Sequence, residues 1–172
     1  GRFTLPTDQT HLQGIIGRYS RSFSRNSLAA RGGYGTGPMF DPAWSDPFFC
    51  KVKDGEGPFP CEVRFSNASI VFVELGTGDQ YAWQAFETNY RALIEHAISV
   101  NALPVLVTKA DDLEAAAGAP SGHINNVIRR LAASTQMPLL DFAAAAKVLD
   151  NDGLREEPGP DLHLSEAGEN LH

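Results

Sequence analysis

Three short apolar runs, separated by helical stripes, constrain this chain more than any other feature. Residues 69–75 (SIVFVEL), 104–108 (PVLVT) and 137–142 (MPLLDF) are nearly unbroken in apolar character. The first of these suits a strand buried on both faces, as in a parallel sheet, and the other two read as further strands. Between the first two, Phe86, Tyr90, Leu93, Ile94, Ala97 and Ile98 recur at helical offsets within residues 81–101. Between the second and third, Ile124, Val127, Ile128, Leu131 and Ala132 do the same within residues 121–135. Each spacing predicts an amphipathic helix with one buried stripe. Strand, helix, strand, helix, strand is the order of an α/β layered domain with a mainly parallel sheet. Such folds bind ligands beyond the carboxyl ends of their strands.

The remaining segments are read around that frame. Residues 8–19 predict a helix with Leu12, Ile15, Ile16 and Tyr19 on one side and Asp8 as its cap. Residues 27–31 (SLAAR) read as a short strand, and residues 143–149 as a short alanine-rich helix. Residues 34–60 form a long proline-rich excursion that needs pinning. Cys50 and Cys61 lie within or beside it. A disulfide between them would contribute about 2–3 kcal/mol and imply export. Two free thiols are the second reading, and a metal the weakest, because structural zinc takes four ligands.

The 172 residues suffice for one domain, 1–172, with a sizeable core. A formal net charge of -7 argues against nucleic acid or an anionic membrane as the main partner. No apolar run approaches the ~18 residues of a membrane span. No cofactor motif is present, and no feature sets an oligomeric state.

The strand ends carry Gly32-Gly33, Gly76-Thr77-Gly78-Asp79, Lys109-Ala110-Asp111-Asp112 and a tail with Asp161 and His163. An Asp close to a His can orient the imidazole to take a proton from a hydroxyl nucleophile. The plainer reading of the tail is a surface loop entering a last helix capped by Ser165. Asp111, Asp112 and Glu114 could hold a metal, but three acids on one loop are expected to be solvated. Glu74 reads as a strand-end residue near water. His11, His96, His123 and His172 read as surface residues, Trp44 and Trp83 as core or lid packing, and residues 53–57 as an exposed turn.

Together these segments resemble the SGNH, or GDSL-type, serine hydrolases over residues 12–168. The stretches DPAWSDP…C…CEVR and TKADDLE resemble a group of exported members most specifically. The resemblance implies a three-layer α/β/α, flavodoxin-like fold and hydrolysis of acyl or acetyl esters of a lipid or carbohydrate. In that family a GDS serine is the nucleophile, a Gly and a GxND turn form the oxyanion hole, and a DxxH supplies acid and base. Position by position, Gly33 matches the oxyanion Gly, and Gly76, Thr77 and Asp79 match the GxND turn. His163 matches the base and Asp161 approximates its acid partner.

Three departures stand out. No GDS block occurs, so the expectation is a domain truncated at its N-terminus, and by its abrupt end perhaps at its C-terminus, with the first strand missing and the nucleophile outside this chain. Gly78 stands where the Asn should be, and one lost oxyanion donor costs about 2.7–4 kcal/mol. Asp161 lies two residues before His163, with Pro160 at the usual third position. The expected substrate is a small-molecule or saccharide ester. The rival expectation is a non-catalytic saccharide- or lipid-binding module on the same scaffold.

Overall fold

The computed structural model describes residues 7–23, 26–156 and 163–171. Its centre is a three-stranded parallel sheet in the order β1-β2-β3, formed by Ile70–Val73, Leu103–Val107 and Leu139–Leu140. Phe72 pairs with Val105 and Leu106 with Leu139. Pro104 lies inside β2 at no cost to the ladder. Leu103 turns its amide toward β1, donating to Ser69 O at 2.9 Å, whereas Leu106 and Thr108 donate toward β3. By alternation the amide that Pro104 lacks would point to the β3 side, where pairing begins only at Leu106.

Parallel pairing requires long crossovers, and two helices supply them. Seven helices are described in chain order: α1 (Gln13–Phe23), α2 (Pro58–Ser66), α3 (Trp83–Ser99), α4 (Leu113–Ala116), α5 (His123–Thr135), α6 (Phe142–Ala146) and α7 (Glu166–Leu171). The predicted stripes are the buried ones except at Ile98, the last stripe position of α3, which is 48% exposed. Phe86, Tyr90, Leu93, Ile94 and Ala97 of α3 and Ile124, Val127, Ile128 and Leu131 of α5 share one core with Val73 and Leu106. Val107, next to Leu106, points to the opposite face and packs with Phe142 and Ala146 of α6. The result is the expected layered α/β domain, with α3 and α5 below the sheet and α6 above it.

The sequence reading is corrected at five places. Residues 27–31 are not a strand. Leu28 N donates to Glu62 Oε2 at 2.5 Å, and Ser27 Oγ donates to the same oxygen at 3.1 Å. The side chain of Glu62 on α2 therefore holds this segment instead of a strand partner. β1 is not buried on both faces: Ile70 and Phe72 are 55% and 67% exposed. Their face lies beyond the reach of α6, and among the described strands β1 pairs with β2 alone. A groove of about 290 Å³ runs between residues 27–30 and the free edge of β1. The N-terminal helix proper starts at Gln13 after a 3-10 turn, later than predicted. His96 is not a surface residue; its ring sits 5.8 Å from both Phe40 and Phe59, and burial lowers its pKa. His123 likewise packs edge-on against Trp83 at 5.0 Å.

The excursion over residues 34–60 is pinned by the Cys50–Cys61 disulfide, whose Cα atoms are 5.3 Å apart. Further ties reinforce it. Arg64 donates to both carboxylate oxygens of Glu56 and to Phe49 O, and Ser45 Oγ donates to Glu56 O. Residues 53–55 form the exposed turn that was expected, while Gly57 is buried with no room for a side chain.

Candidate active site

Three loops meet at the carboxyl end of the sheet. The first follows residues 27–31 and turns at Gly33, whose φ of +83° suits glycine. Tyr34 N closes this turn on Arg31 O at 3.0 Å. The second follows β1 and is the Gly76–Asp79 turn, closed by Asp79 N donating to Gly76 O at 2.9 Å. The third follows β2 and runs from Lys109 to Glu114.

The first two loops are locked together by Asp79. Its buried carboxylate accepts from Thr36 N at 2.9 Å and from Thr36 Oγ1 at 2.7 Å. Burial pushes the Asp79 carboxyl pKa up, while the Thr36 bonds and the charge of Lys109 pull it down. Gly78 is pressed against the other loop. A Cβ there would lie 2.3 Å from Tyr34 O and 2.7 Å from Gly35 N. A Cβ on Gly35 would in turn lie 2.8 Å from the Asp79 carboxylate. The missing Asn side chain at 78 is thus explained locally: this packing leaves it no space.

The second and third loops are joined by Thr77, whose hydroxyl donates to Asp111 Oδ2 at 2.6 Å. Behind it lies a buried ion cluster. Lys109 Nζ donates to Asp111 Oδ1 at 2.6 Å, to Asp111 O at 2.8 Å and to Glu114 Oε2 at 2.7 Å. Glu114 Oε1 accepts from Ile124 N, and Asn125 brackets the Lys109 backbone, accepting from its N and donating to its O. Of the loop acids, Asp112 is exposed as expected, whereas Asp111 and Glu114 are buried, and the lysine rather than a metal gathers them. Asp111 and Glu114 are buried on the lysine, and Asp112 binds Ser121 Oγ and Gly122 N. One other group of potential ligands occurs among the described residues, Cys50, Glu56 and Cys61, and its sulfurs are bonded to each other.

The sequence-predicted site residues divide into two sets. The turn carrying Gly33 meets Gly78 and Asp79 directly. Glu74, just past the end of β1, is exposed, as a strand-end residue should be. His163 belongs to a different element. Its carbonyl accepts from Arg155 N at 3.0 Å, and Leu164 bridges Leu154 and packs on the α6 cluster. Ser165 then caps α7, its hydroxyl accepting from Gly168 N at 3.2 Å. Asp161 lies outside the described residues. Thr77 and Lys109 were expected at the strand ends but given no role of their own, and Thr36 and Asn125 were missed. A lysine closing an apolar strand, with acids two and five positions on, was the one signal available for them.

This arrangement brings two glycine turns into contact at the strand ends and ties them together through Asp79 and Thr36. No helix among the described residues is long and apolar enough to cross a membrane. The disulfide is compatible with an extracellular location. A comparison with curated proteins finds no match. The family model of the GDSL-like lipases and acylhydrolases matches residues 7–171. That span takes in all three loops and every strand of the sheet, and the chain belongs to the GDSL-like lipase/acylhydrolase family.

Proposed function

We propose that this domain hydrolyses acyl or acetyl esters of a lipid or carbohydrate outside the cell, with a serine supplied from beyond these 172 residues. The family supports ester hydrolysis and small ester substrates. The observation that carries the finer reading is the junction of the Gly33 turn with the Gly76–Asp79 turn at the strand ends, beside the unfilled groove along β1. An extended segment seated in that groove would pair with the free edge of β1 and deliver its carboxyl end to the two glycine turns.

In this reading the serine hydroxyl attacks the ester carbonyl while His163 takes its proton. Asp161 orients the imidazole and stabilises its charged form. The Gly33 and Gly78 amides donate to the tetrahedral oxyanion. His163 then returns the proton to the departing alcohol, and water repeats the sequence on the acyl-enzyme.

The test uses a chain extended upstream. It should cleave short p-nitrophenyl esters and be labelled by a fluorophosphonate, while the 172-residue chain stays unlabelled. Absence of both activities in the extended chain overturns the proposal. A second reading, a non-catalytic saccharide- or lipid-binding module, draws support from Gly78, where the structure leaves no room for an oxyanion side chain. It predicts ligand binding by the extended chain without turnover.

A further inference from the structure

We infer that Lys109 and Asp111 are positioning residues for the Gly76–Asp79 turn, acting through the hydroxyl of Thr77. This rests on the reading of that turn as part of an esterase site. The argument starts from how completely the lysine is committed. An ammonium has three donors, and all three are used at 2.6–2.8 Å on Asp111 and Glu114. The side chain is 6% exposed. Its stem also supports the turn from beneath, since a Cβ on Gly76 would lie 3.1 Å from Lys109 Cδ.

A stability role explains this cluster poorly. One ammonium against two carboxylates leaves a net buried negative charge, and buried ion clusters are often no more stable than well-packed apolar residues. What the cluster does provide is a fixed reference point. Asn125 clamps the Lys109 backbone from both sides, and Glu114 ties the cluster to the first turn of α5. Asp111 divides its oxygens, one on the ammonium and one on Thr77. The turn therefore takes its position from a block built of β2, α4 and α5. On its far side Asp79 passes that position to Thr36 and the Gly33 loop.

The test is Thr77→Val, which removes the hydroxyl at nearly constant volume, with Thr77→Ser as the rescue. The first readout is amide hydrogen exchange in the 172-residue chain. The Asp79 and Ala82 amides, which close the turn on Gly76 O and Asp79 O, should exchange about 10- to 100-fold faster in Thr77→Val. Amides of β2 and α3 should be unchanged, and Thr77→Ser should restore protection. The second readout is kcat in the extended chain, expected to fall about tenfold at constant KM and to recover with serine. Unchanged exchange at Asp79 and Ala82 overturns the inference. So does faster exchange with full kcat in an active enzyme, because the turn would then be held without being positioned for reaction. An inactive parent enzyme defeats the esterase reading alone, and the exchange data still decide whether the cluster fixes the turn.

Discussion

Substituting Gly78 tests whether the two glycine turns are packed as described. The family pattern suggests restoring an Asn at this position, and the geometry predicts the result. Gly78 does not occupy the left-handed region, so its backbone tolerates a side chain. The obstacle is contact: the new Cβ would lie 2.3 Å from Tyr34 O, 2.5 Å from Tyr34 C and 2.7 Å from Gly35 N. All three atoms are backbone, so no rotamer change relieves them. Overpacking of this kind costs about 1–3 kcal/mol, offset by about 0.4–1 kcal/mol from the stiffer unfolded chain. The net is about 1–2 kcal/mol of destabilisation. For a chain of this length that lowers Tm by about 2–8 °C. Thermal unfolding of Gly78→Ala and Gly78→Asn should show the loss in both, because the Cβ causes it and the amide does not. Gly32→Ala is the control, since nothing lies within 4 Å of its new Cβ. A Gly78→Ala variant with the Tm of the parent would refute the packing. It would also reopen the possibility that an Asn here could reach a substrate.

Reducing the Cys50–Cys61 disulfide, or replacing both cysteines with serine, should cost about 3 kcal/mol from a closed loop of sequence separation 11; a denaturation midpoint that ignores dithiothreitol would contradict this. Tyr90→Phe removes the hydroxyl that donates to Val73 O at 2.6 Å in the core, and should cost about 1–2 kcal/mol in urea unfolding with an unchanged m value. Arg129 holds the Asp141 carboxyl below the ordinary carboxylate range through its hydrogen bonds, with Thr108 assisting. Because the folded pKa is lowered, the unfolded chain binds more protons in that window. The pair's stability is thus present above pH ~4 and lost as pH falls through the folded pKa. Arg129→Met should flatten this acid limb by about 1 kcal/mol or less, given the partial exposure of both groups; an unaltered Tm–pH profile would count against the assignment.

How much of this was legible in the sequence follows from the physics of each element. α3 and α5 were readable almost to the residue, because each has a single apolar stripe and a single core to face. Their ends were not marked by glycine. Asn101 and Gln136 take the left-handed conformation at the reversals, with φ of 60° and 56°, a role that composition signals weakly. β1 was placed correctly but its burial was misjudged. An apolar run is compatible with a strand covered on both faces, yet only the chain's three-dimensional neighbours decide whether cover exists. SLAAR failed as a strand because a strand needs a partner, and the buried carboxylate of Glu62, 34 residues away from Leu28, took its amide instead.

The same distinction explains why the CEVR and TKADDLE stretches were the hardest to interpret. In CEVR, the cysteine closes the excursion, the glutamate holds residues 27–28 and the arginine holds Glu56 and Phe49. In TKADDLE, Thr108 binds Asp141, Lys109 gathers Asp111 and Glu114, and Asp112 caps the approach to α5. Each polar residue has a partner distant in sequence or buried from view, so neither periodicity nor charge pattern reveals its task. A loop of acids looks like a solvated surface or a metal site until the one lysine that gathers two of them is seen to be inside. These stretches therefore have a mechanical task. They form the frame that sets two glycine turns against each other at the strand ends, and a frame tolerates fewer substitutions than the water-facing rim it supports. The chemistry of the site should accordingly be more sensitive to Thr77, Lys109 and Asp79, which hold the rim in place, than to the exposed residues that surround it.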